Sequence, residues 1–407
     1  MSPSSIALTP QRERWLLITL AGIQFTNILD FMIMMPLGPQ FTQLFAITDA
    51  QFGLLVSAYT LAGCVSGLLA STYIDRFDRK RLMLFLYGMF ALSTLACGLA
   101  DSYASLMLAR IAAGVFGGVL TALLQTVIGD VIPFERRGRA MGIVTTSFSV
   151  STVVGVPVGL YTAAHFGWHM PFIGIAFLSV LFMLFAWLTL PTLNAHMLQP
   201  TSQSAWQRIR ETLADTNHQR AFVFSMLIIF GGFTVIPYIT IYMQTNVGIS
   251  PERIPLIYLS GGAATLFTAR LFGRMTDSFG KFKTFRLLAL AVVVPMMALT
   301  LLRPAPLWVV LLVSTTLFVC MSGRMIPGMA ILTSAAEPRL RGTFMTLNAA
   351  VQSAAMGLAA LTGGHLISRD PQGLVQNYWM AAVVGACASL LAIGVASRLN
   401  LHQKASP

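Results

Sequence analysis

Twelve long apolar segments dominate this chain. Each is long enough to cross the roughly 30 Å hydrocarbon core of a bilayer as a helix. With 56% hydrophobic and only 10% charged residues, the chain is too apolar for an ordinary soluble domain. The runs are continuous, whereas a membrane β-barrel requires short alternating strands, so we predict an all-α membrane protein. The predicted spans are residues 15–39, 50–73, 82–100, 104–131, 139–164, 168–190, 220–243, 252–274, 284–302, 306–334, 342–367 and 376–396.

A short charged motif occurs once in each half of the chain. Asp75 and Asp277 follow the second and eighth apolar segments and lie about 200 residues apart, and Arg137 and Arg341 keep almost the same spacing. This repeat predicts two pseudo-symmetric bundles of six helices, an organisation typical of transporters. The predicted domains are an N-terminal bundle (1–190), a polar cytoplasmic linker (191–218) and a C-terminal bundle (219–407).

Positive charge is distributed unequally between the two ends of the predicted helices. If the N-terminus is cytoplasmic, twenty of the 26 Lys and Arg residues lie on that side, and only Arg253, Arg303 and Arg369 lie on the other. Cytoplasmic loops carry such an excess, so both termini are predicted to be cytoplasmic. The net charge of +12 therefore indicates topology rather than a nucleic-acid partner.

Several kinds of chemistry have no signature in the sequence. All four cysteines fall inside predicted spans without a CxxC pair, which argues against a disulfide framework or a zinc site. We find no nucleotide-binding loop, nucleophile constellation or metal-ligand spacing. The chain is therefore not expected to be an enzyme, or to need a cofactor, a metal or ATP.

The two charged loops resemble a motif of the major facilitator superfamily, Gly-x-x-x-Asp-Arg-x-Gly-Arg-Lys. Ser71 and Asp78 stand where that pattern has glycine. The resemblance implies the major facilitator fold and a gating role, in which the carboxylate of a tight turn accepts hydrogen bonds from neighbouring helix ends. The alternative is a solvated charged turn. The matching residues are Asp75, Arg76, Arg79 and Lys80 in the first copy and Gly273, Asp277, Gly280 and Lys281 in the second.

Three further resemblances concern proton coupling and export within that superfamily. Arg110, followed four residues later by Gly114, resembles a helix-4 pattern that is associated with proton transfer in proton-coupled members. Gly155, Pro157 and Gly159 resemble the helix-5 motif of exporters, although a packing kink at the proline is the alternative. The segment 167–172 also resembles the start of helix 6 in arabinose-efflux and drug:proton antiporter permeases.

Asp30 is the only acidic residue placed deep in a predicted span. Gln24, Asn27 and Met34 share its helix face and form a stripe with it. An ionised carboxylate is costly at that depth, so its protonation could change during transport, as proton coupling requires. A permanent structural ion pair is the alternative reading.

Arg324 is the deepest base, near the middle of the tenth segment. Helices 1, 4, 7 and 10 line the central cavity of this superfamily, so the resemblance would let Asp30 face Arg324, with Arg110 as a second partner. Further polar residues could line the cavity or equally bond neighbouring helices. These cavity candidates are Tyr59, Gln125, Tyr238, Asn348 and Gln352.

These patterns together predict a proton-coupled secondary active transporter in a bacterial inner membrane. We expect it to export small drug- or sugar-like molecules by alternating access, as a monomer. One alternative is a proton-linked importer of an anionic metabolite anchored by Arg324. Another is a non-transporting membrane sensor or scaffold, but such a protein would gain stability by replacing its deep charges with apolar residues.

Overall fold

The computed structural model describes residues 9–74, 77–132, 136–191, 205–337 and 339–401. Within these ranges, twelve helical segments are long and apolar enough to cross a membrane, which confirms the predicted number. Helices account for nearly all of the regular structure, so the predicted all-α class is also confirmed.

The helices of the first half follow the predicted spans, with one extra short helix after the first span. Their bounds are α1 (Pro10–Ile33), α2 (Gly38–Leu44), α3 (Asp49–Tyr73), α4 (Arg79–Gly98), α5 (Tyr103–Val131), α6 (Arg137–Val150), α7 (Val156–Phe166) and α8 (His169–Thr189). A π-helical turn, Ser151–Gly155, joins α6 to α7 within the fifth span.

The second half begins with a short amphipathic helix, and its first and third spans are each interrupted. The helices are α9 (Ala205–Ala214), α10 (Thr216–Phe233), α11 (Ile239–Thr245), α12 (Ile254–Phe279), α13 (Lys281–Ala291), α14 (Val293–Thr300), α15 (Leu307–Ala335), α16 (Arg341–Leu366) and α17 (Tyr378–Ala396). A small antiparallel hairpin, β1 (Ser368–Arg369) and β2 (Val375–Gln376), lies between the last two.

Side chains cap several helix N-termini, where the first backbone N–H groups have no partner within the helix. Asp78 accepts a hydrogen bond from the backbone of Arg81 at 2.9 Å and so begins α4. Ser102 and Ser105 form a reciprocal capping box on α5. Asp215 caps α10 by accepting from the backbone of His218 at 2.7 Å. Polar residues between apolar segments thus define where the helices begin.

The described residues pack as two compact units, the first containing residues up to 34 and 58–202, the second 35–57 and those from 203. In the first unit, α1 packs on α6 and α8, and α4 packs on α5 and α8. In the second, α10 packs on α16 and α17, and α12 packs on α15. The predicted division at 191–218 stays a prediction, because residues 192–204 lie outside the described ranges.

Residues 35–57 belong to the second unit through polar and aromatic contacts. Asp49, the first residue of α3, accepts two hydrogen bonds from Arg369 on β1, at 2.7 and 2.8 Å. This bidentate contact raises the pKa of Arg369, chiefly through the hydrogen bonds from its guanidinium to the carboxylate. Phe52 meets the ring of Tyr238 edge to face at 6.1 Å. The first turns of α3 are therefore anchored to the hairpin and to the end of the seventh span.

Candidate functional site

A buried ion pair lies at the centre of the first unit. Nη1 of Arg110 on α5 donates to Oδ2 of Asp30 on α1 at 2.8 Å, and both side chains are fully buried. The same nitrogen also lies 3.3 Å from the backbone carbonyl oxygen of Asp30. Of the two partners that the sequence left open for Asp30, the structure gives Arg110.

Glycines on α5 allow α3 to come close enough to complete this site. A Cβ on Gly114 would lie 2.8 Å from Cα of Tyr59, and one on Gly118 would lie 2.6 Å from Cα of Gly63. Small residues at such positions let membrane helices pack backbone to backbone. The close approach places the ring of Tyr59 under the Arg110 guanidinium, with Cζ 4.4 Å from the ring centroid. A cation at this distance is attracted to the aromatic face.

Asn27 connects the same three helices through hydrogen bonds. Its Oδ1 accepts from the Tyr59 hydroxyl at 2.7 Å, and its Nδ2 donates to the carbonyl of Gly117 at 2.9 Å. Gly117 has to be small, because a Cβ there would lie 2.7 Å from the Tyr59 hydroxyl oxygen. The predicted residues Asn27, Asp30, Tyr59 and Arg110 therefore form one cluster on α1, α3 and α5.

The ion pair keeps unused hydrogen-bonding capacity. Among the described residues, Oδ1 of Asp30 and both Nε and Nη2 of Arg110 have no hydrogen-bond partner. Buried polar atoms are nearly always paired, and exceptions often mark sites of chemistry or of an additional ligand. This carboxylate can therefore bind a proton, and the guanidinium can bind another acceptor, without first losing a protein hydrogen bond.

The fifth span packs on α1 beside Asp30 through its glycines. A Cβ on Gly155 would meet the side chain of Leu29 at 2.8 Å, and one on Gly159 would meet Ile33 at 2.6 Å. Pro157 lies two residues after the end of the π-helical turn, at the second position of α7. Because proline has no N–H to donate, the regular hydrogen-bond ladder cannot continue through it, and the turn widens there. The predicted helix-5 motif thus contacts the helix that carries the carboxylate.

Two serines attach the preceding part of the fifth span to α1. The hydroxyl of Ser147 donates to the carbonyl of Ala21 at 2.7 Å, and that of Ser151 donates to the carbonyl of Phe25 at 3.2 Å. These contacts lie one helical turn apart and follow α1 towards Asp30. The sequence analysis did not identify them, because a lone serine in an apolar helix gives no sign of which helix it faces.

Arg324 lies within the second unit and is only 2% exposed. Its Nη1 donates to the hydroxyl of Ser389 on α17 at 2.6 Å, and its Nη2 donates to the carbonyl of Ile228 on α10 at 3.0 Å. Nε has no hydrogen-bond partner among the described residues. Ser389 is a contact that the sequence analysis missed.

The other cavity candidates have different environments. In the second unit, Asn348 is buried and its Oδ1 has no hydrogen-bond partner among the described residues, whereas Tyr238 donates to the carbonyl of Ala360 at 2.5 Å. Gln352 donates to Ser225 at 3.0 Å where α10, α15 and α16 meet. In the first unit, Met34 is buried, Gln24 is half-buried and Gln125 is exposed.

The structure describes only part of the predicted gating motif, because Asp75 and Arg76 lie outside the described residues. Arg79 is buried at the first position of α4. In the second copy, α12 continues past Gly273 to Phe279, so the exposed Asp277 lies in its last turn rather than in the predicted loop. Gly280, with φ of +90°, alone separates α12 from α13. This left-handed conformation favours glycine.

Comparison with known families gives one family that covers most of the chain. The sequence profile of the Major Facilitator Superfamily matches residues 20–360 and 221–405. Bacillus subtilis (strain 168) has an uncharacterized MFS-type transporter, YtbD, that is 24% identical over 82% of this chain and 84% of its own length.

Two other relatives have names that indicate a function. Multidrug resistance protein 2 of the same B. subtilis strain is 24% identical over 68% of this chain and 70% of that protein. A probable sugar efflux transporter of Helicobacter pylori (strain P12) is 24% identical over 57% and 58%.

Solved structures share the same fold at low sequence identity. A bacterial homologue of the human lysosomal transporter Spinster superposes with a TM-score of 0.76 at 17% identity, covering 96% of this chain and 98% of that chain. A D-xylose-proton symporter superposes with a TM-score of 0.76 at 19% identity, covering 94% and 97%.

Proposed function

This chain belongs to the Major Facilitator Superfamily, and we propose that it is a proton-coupled transporter that exports small organic molecules by alternating access. Membership makes it a non-enzymatic, multi-pass membrane transporter. The proton coupling, the export direction, the monomeric state and the bacterial inner membrane are our proposals.

The Asp30–Arg110 pair is the observation that carries the proposal. Taking both charges out of water is expensive, and an apolar pair of similar size would be as stable or more stable. A fully buried, titratable carboxylate in a membrane span is costly, so it is not expected in a helical bundle where it has no function. Deep ionisable residues in membrane proteins commonly belong to ion pathways and proton relays.

A proton on Asp30 would change how α1 and α5 interact. The neutral acid loses its charge attraction to Arg110, while the guanidinium keeps the backbone carbonyl of Asp30 and the face of Tyr59 as favourable contacts. The fifth span packs against Leu29 and Ile33 on both sides of Asp30, so this change reaches the π-helical turn and Pro157. Coupling then requires that the substrate binds the protonated and deprotonated forms with different affinity.

Export is favoured over import by two observations of different kinds. One relative is named a probable sugar efflux transporter, and another is named a multidrug resistance protein. In addition, Gly155, Pro157 and Gly159 resemble the exporter motif, and its two glycines lie against the helix that carries Asp30.

Reconstituted vesicles test the coupling step. A ligand that stabilises the purified protein against heat is first selected from sugars, dyes, antibiotics and organic acids. Asp30→Asn should abolish accumulation driven by a proton gradient but retain counterflow, which exchanges substrate without net proton movement. Asp30→Glu should restore part of the gradient-driven transport, because it can titrate.

Asp101→Asn is the matched control, since Asp101 is an exposed acid before α5 whose carboxylate accepts from Ser105. It should transport like the wild type. Full gradient-driven accumulation by Asp30→Asn would remove Asp30 from the mechanism.

A further inference from the structure

Arg324 is a buried cation with hydrogen-bond acceptors, but no described residue of its own unit supplies it with a counter-charge. Ser389 and the carbonyl of Ile228 are neutral, so they satisfy two N–H groups and leave the positive charge uncompensated. Among the described residues of α10 to α17, the spanning helices contain a single acidic residue, Asp277, which lies exposed in the last turn of α12. The buried Asp49 at the start of α3 is already paired with Arg369. Arg324 lies near the middle of the 29-residue helix α15.

The contrast with Arg110 shows that this arrangement is unusual within the chain. Arg110 and Arg324 are both buried in long spanning helices, but Arg110 has the carboxylate of Asp30 at 2.8 Å. A buried charge is costly unless it is both hydrogen-bonded and paired. Arg324 meets only the first of these conditions in the described residues, and its Nε is unpartnered as well.

The free donors of Arg324 define the chemistry that would complete the site. A guanidinium has five N–H groups in one plane, and a carboxylate, phosphate or sulfonate can accept two of them at once. Gly232 faces this guanidinium on α10, where a Cβ would lie 3.3 Å from Nη2. A larger residue at that position would crowd the donors.

We propose that the transported molecule is an organic anion whose acid group binds Arg324 within the second unit. This assignment of a substrate class rests on the transport function proposed above. The guanidinium is hydrogen-bonded to α10 and α17, and the anion supplies the counter-charge when it binds. The competing reading is that Arg324 only ties α10, α15 and α17 together through Ser389 and Ile228.

Matched pairs of acids and amides test the proposal on the full-length purified protein. The probes are organic acids and their neutral amides, such as benzoate with benzamide and nicotinate with nicotinamide, read out by thermal stabilisation and by equilibrium binding. The protein is held in nanodiscs of phosphatidylcholine, so that an anionic lipid headgroup cannot occupy the guanidinium. At least one acid should bind about tenfold or more tightly than its amide, the range of a charge-assisted hydrogen bond.

Three variants separate anion binding from a structural tie. Arg324→Gln should reduce the preference for acid over amide about tenfold or more, while Arg324→Lys should keep part of it by retaining the charge. Ser389→Ala removes one contact of the tie but leaves the cation, so it should keep the full acid preference even if it melts at a lower temperature. If Ser389→Ala loses the preference as fully as Arg324→Gln does, the tie is the correct reading.

The proposal is overturned if no acid binds more tightly than its amide, or if Arg324→Gln keeps the preference. Loss of the proposed proton coupling has a different signature. In that case the acid preference persists in the wild type and in Asp30→Asn, while accumulation in vesicles does not respond to a proton gradient.

Discussion

Two ion pairs of equal length in this chain differ in how much stability is lost when one partner is removed. Arg110–Asp30 and Arg136–Glu13 both have an N···O distance of 2.8 Å. The first pair is fully buried, whereas the side chain of Arg136 is 53% exposed. An exposed pair contributes about 0–1 kcal/mol, because water and salt screen it. A buried pair contributes little net stability when intact, but breaking it leaves a charge without a partner.

Arg110→Met should therefore lower the free energy of unfolding by about 3–5 kcal/mol, because the carboxylate of Asp30 then remains buried and unpaired. Adding Asp30→Leu should recover most of that loss, since no charge is left. Arg136→Met is the control and should change stability by about 1 kcal/mol or less. Thermal or denaturant unfolding in detergent measures the stability of the two single variants and the double variant. If the double variant loses the sum of the two single losses, the buried pair is not coupled and the prediction is wrong.

The sequence predicted the members of this site better than their contacts. The 3.6-residue period correctly placed Asn27 and Asp30 on one helix face, because the stripe is a local property of one segment. The partner of Asp30 depends on how α1 packs against α5, so the sequence could offer both Arg110 and Arg324. Gln125 is exposed although its segment is apolar, since residue type alone does not say which side of a helix faces the bundle.

At the scale of helices, the crossing of α3 and α5 determines the shape of the site. Gly63 faces Gly118, one turn further along α5 than the contact between Tyr59 and Gly114. The backbones touch directly there, so helix separation, the position of Tyr59 and its contact with Arg110 are linked. The sequence showed the glycines but not which helix they meet. It also gave no sign of the π-helical turn before Pro157.

Gly118→Ala should destabilise the protein by about 1–3 kcal/mol, the usual cost of overpacking a tight contact. Its Cβ would meet the backbone of Gly63 at 2.6 Å, and a backbone cannot move aside as a flexible side chain can. Gly174→Ala in α8 is the control, because a Cβ there meets nothing within 4 Å. The control should be neutral or stabilising by up to about 1 kcal/mol, since alanine is the better helix former. Similar melting temperatures for both variants would disprove the tight crossing.

At the scale of the whole molecule, hydropathy predicted the twelve spans correctly. Each span must form its own backbone hydrogen bonds and cross about 30 Å of hydrocarbon, so its length and composition are visible in the segment itself. Interruptions within a span were less predictable. The predicted segment 220–243 contains a 3₁₀ turn, Ile236–Tyr238, around Pro237. The packing of residues 35–57 with the second unit was not predictable either, because it depends on contacts distant in sequence, such as Asp49–Arg369.

The orientation of the chain is a prediction from where its cations lie, and it can be tested directly. Twenty Lys and Arg residues fall on the side of the termini and three on the other, so we predict that positions 200 and 402 are cytoplasmic and that the hairpin bearing Arg369 is external. Cysteines introduced at Pro200, His402 and the exposed hairpin residue Gln372 would report on both sides, after the four native cysteines are replaced.

A maleimide that cannot cross the membrane should label only Gln372→Cys in intact cells and all three positions in permeabilised cells. Permeabilisation is the control that every introduced thiol is reactive. Labelling of Pro200→Cys and His402→Cys from outside, with Gln372→Cys protected, would reverse the orientation. It would also place both copies of the charged motif, before α4 and before α13, on the external side, where they could not act as a cytoplasmic gate.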